Sequence, residues 1–90
     1  MLEIKVTSKF KKDLKQIIKR GYNISLLDKV VTDIASGVPL GAKYRDHILT
    51  GEYAGFHECH IEPDWLLVYK LGNDELILYL LRTGTHSDLF

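Results

Sequence analysis

Two short runs hold nearly every side chain here that is suited to acid–base work on a phosphodiester. His57 to Trp65 reads H-E-C-H-I-E-P-D-W, and Arg82 to Phe90 reads R-T-G-T-H-S-D-L-F. The first supplies His60, Asp64 and Trp65; the second supplies Arg82, His86 and Phe90. An irregular stretch before them adds Tyr44, Arg45, Asp46 and His47. Attack of a ribose 2′-OH on its neighbouring phosphate needs such a set. It takes a base near the hydroxyl, an acid for the departing 5′-oxygen and a fixed cation on the phosphorane. Imidazole, with a reference pKa of about 6.5, serves at either end near neutral pH. That chemistry requires no metal. Trp65, Phe90 and Tyr44 add aromatic faces on which unpaired bases could stack.

Metal binding is the competing reading of H-E-C-H. Side chains alternate along a strand, so His57 and Cys59 point one way while Glu58 and His60 point the other. Four ligands do not converge from that arrangement, and no second Cys/His pair completes a zinc site. Cys59 and Ile61 then share the core side. His60 is left on the opposite face, with Asp64 just past the end of its strand.

The two runs must be brought together by what separates them. Leu66 to Leu81 reads as a hairpin of two apolar strands, which returns Asp64 and Trp65 to the neighbourhood of Arg82 and His86. Upstream, Leu2, Ile4 and Val6 alternate with Glu3, Lys5 and Thr7, predicting a first strand with one buried face. Ser8 can cap a helix whose Phe10, Leu14, Ile17 and Ile18 form one stripe, with Gly21 as its stop. Asn23 or Ser25 opens a second helix closed by Gly37 and Pro39. Strands then follow over Phe56–Glu62, Trp65–Leu71 and Glu75–Thr83, with turns at Pro63–Asp64 and at Gly72, Asn73 and Asp74. The two later strands are apolar on both faces and should be central. The order β-α-α-β-β-β predicts an α+β domain, a mostly antiparallel sheet with two helices packed on one face.

Ninety residues make one domain, 1–90, that buries roughly 60–65% of its unfolded surface. A single cysteine excludes an internal disulfide and fits a reducing cytosol. Lysines interrupt the N-terminus where a signal peptide would be apolar, and no run reaches the ~18–20 apolar residues of a membrane span. The net charge is zero, yet residues 1–21 hold seven Lys/Arg against two Asp/Glu. A neutral chain with one basic end can bind a polyanion through that end, because attraction is local under physiological screening.

Y-R-D-H (44–47), G-x-x-x-G-F-H-E-C-H-I-E-P-D-W-L-L-V-Y (51–69) and R-T-G-T-H-S-D-L-F (82–90) resemble the YafQ branch of the RelE/ParE toxin superfamily. The resemblance covers essentially the whole chain. It implies a RelE-like fold and the toxin half of a bacterial type II toxin–antitoxin pair. Such a toxin is a cytoplasmic, ribosome-dependent endoribonuclease that cuts messenger RNA in the ribosomal A site without metal or other cofactor. By similarity, the catalytic set is His47, His60, Asp64, Arg82 and His86. His86 is the general acid, and His47 and Asp64 are candidates for the base, with His60 supporting or sharing that role. Arg82 stabilises phosphate charge, while Trp65 and Phe90 shape the base pocket.

The implied partners are a cognate antitoxin, the 70S ribosome and messenger RNA, with no membrane. Toxins of this superfamily are commonly basic, whereas the pI here is near 6.9. The first helix, with Lys9, Lys12 and their neighbours, would then supply most of the ribosomal RNA contact. A ParE-like toxin that inhibits DNA gyrase by binding is the alternative on the same fold. A module that only binds has no need for this set of imidazoles and cations.

Overall fold

The structure, a computed structural model, describes residues 1–72 and 75–90. Strand β1 (Glu3–Val6) leads into helices α1 (Ser8–Lys19) and α2 (Ile24–Ala35). A two-residue strand β2 (His47–Ile48) follows, then β3 (His57–Glu62), β4 (Trp65–Leu71), β5 (Ile77–Gly84) and a terminal turn of helix α3 (His86–Leu89). The sheet runs β1-β5-β4-β3-β2, antiparallel except where β1 joins β5. This is the expected α+β arrangement, with β4 and β5 central. It gains one strand, because His47 and Ile48 pair with Glu58 and His57 on the far edge. The second residue pair of the expected final turn, Asn73 and Asp74, lies outside the described residues.

Local chemistry sets the helix ends. Thr7, not Ser8, caps α1: its Oγ1 accepts from Phe10 N at 3.0 Å. At the other end Gly21 adopts φ 80°, and Tyr22 N reaches back to Ile17 O at 3.2 Å. Glycine takes that left-handed turn without a Cβ clash, so the helix stops where the sequence predicts. Asn23 caps α2, its Oδ1 accepting from Ser25 N.

Helices α1 and α2 cover one face of the sheet. Phe10, Ile17, Leu27, Val30 and Val31 pack there against Cys59, Trp65, Leu67, Tyr69, Leu78 and Leu80. Cys59 is fully enclosed, and burial pushes its thiol up to about 12. It stays protonated and inert at neutral pH. Two expectations of this layer are revised. The stripe of α1 omits Ile18, which is exposed, and β1 has no buried face: Ile4 and Val6 are each 40% exposed. An edge strand of four residues lies beyond the reach of the helices.

The opposite face carries a smaller apolar cluster of Leu66, Val68 and Leu89, with Leu49, Phe56 and Leu81 against it. Between Val68 and Tyr69 the pairing with β5 shifts from Arg82 to Leu80. Such a bulge leaves Leu81 without an opposite residue, so Leu81 and Arg82 both face this side before Thr83 turns inward. Beyond Leu80, β5 outruns β1 and α1 takes its place as edge cover. Thr7 Oγ1 donates to Leu81 O at 2.8 Å, and Asp13 Oδ2 accepts from Thr83 N at 3.1 Å. No helix is long and apolar enough to cross a membrane among the described residues.

Candidate active site

Strand register aligns the site. His47 lies opposite Glu58, Glu58 opposite Val68, and Val68 opposite Arg82. Opposite residues share a face, so this row crosses the sheet on the side away from α1 and α2. The neighbouring row is His60, Leu66 and Gly84, the residue from which the chain enters α3. His47, His60, Arg82 and His86 therefore belong to one face.

Each member is held by a local contact. Arg45 takes a left-handed conformation (φ 48°) that aims its carbonyl at His47, whose Nδ1 lies 2.7 Å away. A carbonyl only accepts, so Nδ1 carries the proton and Nε2 is left to face Glu58 Oε1 at 3.5 Å. The same logic applies to His60: Nδ1 donates to Pro63 O at 3.2 Å, leaving Nε2 with its lone pair. Arg82 is gripped by Asp13 through Nε–Oδ2 (2.7 Å) and Nη2–Oδ1 (3.1 Å). That fork, favoured by the carboxylate, raises the guanidinium pKa further and leaves Nη1 unengaged by Asp13.

The tail is fastened at both of its ends. Thr85 and Asp88 form a reciprocal cap at the start of α3, and Leu89 is buried on Leu66 and Val68. Asp88 also receives Arg20 Nη1 at 2.6 Å and Nη2 at 3.1 Å. The Arg20 guanidinium, with the Thr85 amide, holds the Asp88 carboxyl far below its usual range. This anchorage sets the His86 ring 5.7 Å from Phe90, and Phe90 edge-on to Tyr53 at 5.7 Å.

A depressed folded pKa means that Asp88 contributes its stability in full above the unfolded value of about 3.9 and loses it as pH falls below that. The tail is thus expected to loosen between about pH 4 and pH 2. Amide exchange at Leu89 and Phe90 should rise over that range, and Asp88→Asn should show the fast exchange already at pH 6. Unchanged protection in the Asn variant would remove the latch from the account.

The remaining expected residues lie elsewhere. Trp65 is not a stacking surface. Its indole is 1% exposed, meets Tyr22 edge-on at 5.1 Å and donates Nε1–H to Thr83 Oγ1 at 2.8 Å. Trp65 shares the helix-covered face with Leu67 and Tyr69, because the three are spaced two residues apart along β4. Tyr44 is half-buried against the same core, with Lys43 Nζ 5.1 Å over its ring. Asp64 is exposed at the β3–β4 turn, in a shallow cleft with Tyr22, Glu62 and Pro63. The hairpin ends do meet, since Leu66 pairs with Gly84, yet the carboxylate in the row is Glu58. Lys9 rims the open face beside Arg82, while Lys12 is exposed on α1. Alternation had already grouped Glu58 with His60. Nothing in the sequence marked Asp13 or Tyr53, and Arg20, one of the basic side chains of the first helix expected to meet ribosomal RNA, is instead paired with Asp88; all three act across long separations.

A family model described as "Bacterial toxin of type II toxin-antitoxin system, YafQ" matches residues 2–90. The chain belongs to the YafQ family. This YafQ-family toxin is 39% identical over 89 residues to the mRNA interferase toxin YafQ of Escherichia coli K12, spanning 98% of this chain and 95% of that one. It superposes on a metal-bound toxin from Helicobacter pylori with a TM-score of 0.94, 49% identity and full coverage of both chains. It also matches YafQ in the E. coli DinJ–YafQ toxin–antitoxin complex, with a TM-score of 0.87, 38% identity and 99% and 97% of the two chains covered. The H. pylori toxin prompts a test for a metal site in this member. Among the described residues, no three His, Cys, Asp or Glu side chains gather closely enough to hold an ion. His47 with Glu58 and His57 with Asp46 are pairs only.

Proposed function

We propose that this YafQ-family toxin is an endoribonuclease that enters the ribosomal A site and cuts messenger RNA by acid–base chemistry of its own side chains. The observation that carries this reading is the shared sheet face of His47, Glu58 and Arg82 with His60 and His86. The whole chain, 1–90, acts as one cytoplasmic toxin domain without a cofactor. The antitoxin partner seen with the E. coli relative has a cognate counterpart here, and the ribosome is the platform that presents the substrate.

His60 is the better-placed base. Two strand spacings, roughly 10 Å, separate it from β5, against three, roughly 14 Å, between His47 and Arg82. Its Nε2 removes the proton from the 2′-OH, and the freed oxygen attacks phosphorus. The added negative charge of the phosphorane falls to Arg82. His86 protonates the departing 5′-oxygen, leaving a 2′,3′-cyclic phosphate and a 5′-hydroxyl. His47 stands beside Glu58 at the far edge of the row, and Asp64 remains outside it.

Asp13 positions the cation. Asp13→Ala frees Arg82 to sample other rotamers, and misplacement on that scale costs up to about 10²-fold in rate. Cleavage should fall by that order in the single variant, while the same change made in an Arg82→Ala background adds little. Equal losses in both backgrounds would make Asp13 a structural residue only.

The deciding experiment is primer extension on a message translated in a reconstituted bacterial system, with and without the protein. Discrete, ribosome-requiring cuts are expected. Growth arrest in cells with no cuts in the message would move the reading to a gyrase inhibitor of the ParE kind.

A further inference from the structure

Beside the acid–base row, the open face holds a cavity of about 160 Å³ lined by Thr7, Lys9, Tyr53, Phe56, Val68, Leu81 and Arg82. Its floor is apolar, because the bulge in β5 turns Leu81 outward next to Val68. Its walls are the rings of Tyr53 and Phe56, 6.2 Å apart and tilted by 53°. Cations stand at the rim: Arg82, held by Asp13, and Lys9 from the first turn of α1. Among the described residues Lys9 makes no ion pair.

A larger cavity of about 510 Å³ shares Thr7, Phe56 and Leu81 with the first and continues to Lys70 and Tyr79. Lys70 Nζ lies 5.6 Å above the Phe56 ring. The two form a continuous track leading away from Arg82, with an apolar floor, aromatic walls, Lys9 and Lys70 along it, and a carboxylate, Glu75, at the far end beside Tyr79. That combination suits a single strand, whose bases have flat apolar faces and whose linkages carry one negative charge each.

We infer that the Tyr53–Phe56 cavity is a nucleotide subsite, receiving the unpaired base next to the scissile phosphate while Arg82 holds that phosphate. The inference rests on the endoribonuclease reading and names the part of the substrate that the reading leaves unplaced. Tyr53 then does two things. It offers a face to the base, and its perpendicular contact keeps Phe90, and through Phe90 the His86 ring, in place. Arg82 is common to the subsite and to the acid–base row, so seating the base also sets the phosphate in register with His86. The cavity is a source of cleavage-site preference, because its size admits one base and bases differ in how strongly they stack on aromatic rings.

Two variants test this in the reconstituted translation system, with cut sites and rates mapped by primer extension. Leu81→Trp fills the cavity from below, and Tyr53→Ala removes a wall. Loss of one base-stacking contact corresponds to about a five- to hundredfold fall in rate. Both variants should show it, together with a changed distribution of cut positions, at an unchanged melting temperature for Tyr53→Ala. Wild-type positions and rates in Tyr53→Ala would overturn the subsite. So would weakened binding of the cognate antitoxin by either variant with cutting intact, since that result gives the cavity to an antitoxin side chain. Absence of cuts by the wild-type protein removes the endoribonuclease reading itself, a result distinct from wild-type-like cutting by the variants.

Discussion

Replacing His86 by alanine is expected to slow messenger RNA cleavage by about 10²–10⁴-fold, the usual worth of a positioned general acid. The fold and antitoxin binding should be untouched. His86 opens α3, yet none of the contacts that fasten α3 runs through its imidazole. The cap belongs to Thr85 and Asp88, the ion pair to Asp88 and Arg20, and the apolar plug to Leu89. Alanine therefore deletes the proton donor and leaves its mounting. Primer extension reads the rate, and a thermal melt with a titration of antitoxin reads the rest. A variant as toxic as the parent would mean that the 5′-oxygen takes its proton from another group, and the role of the tail would have to be reassigned.

The second large effect concerns stability. Trp65→Ala is expected to cost about 3–5 kcal/mol, a large share of the roughly 5–15 kcal/mol that holds a small domain together. The indole fills the centre of the helix-covered face, its ring abuts Tyr22, and its N–H is satisfied by Thr83 Oγ1, which itself donates to Leu66 O at 2.8 Å. Truncation empties that volume. Trp65→Phe keeps most of the ring and loses the hydrogen bond, worth about 0.5–1.5 kcal/mol. Urea unfolding should give lower midpoints for both with little change in slope. The Phe variant should cut messages at the parental rate where it is folded. A Phe variant with parental stability and impaired cutting would return Trp65 to the substrate side.

Most of the architecture could be read from local signals. Gly21 and Asn23 punctuate the helices as glycine and asparagine do, and the apolar runs of β4 and β5 marked the centre of the sheet. What stayed hidden depended on non-local geometry. β4 is apolar on both faces, so alternation gave no sign of which way Trp65 points. Strand β2 exists only because β3 offers an edge to two residues that have no strand pattern of their own. His60 and Arg82 were visible as chemistry, but their shared face depends on register, and for Arg82 on a bulge that places two consecutive residues on one side. Asp13 was one acid in a helix of lysines. Its meaning lies 69 residues away, at Arg82.

Asp13, on α1, and Arg20, its C-cap, stand seven residues apart, two helical turns and about 10.5 Å along the axis. One grips Arg82 and the other the tail that bears His86. The helix is thus a gauge block: it fixes the separation of two working parts that come from the far end of the chain. Its length between those points admits no error, since losing one residue would swing one grip about 100° around the axis. Of the side chains between them, Lys15, Gln16, Ile18 and Lys19 are exposed and can vary, whereas Leu14 and Ile17 face the core; the count of residues cannot change.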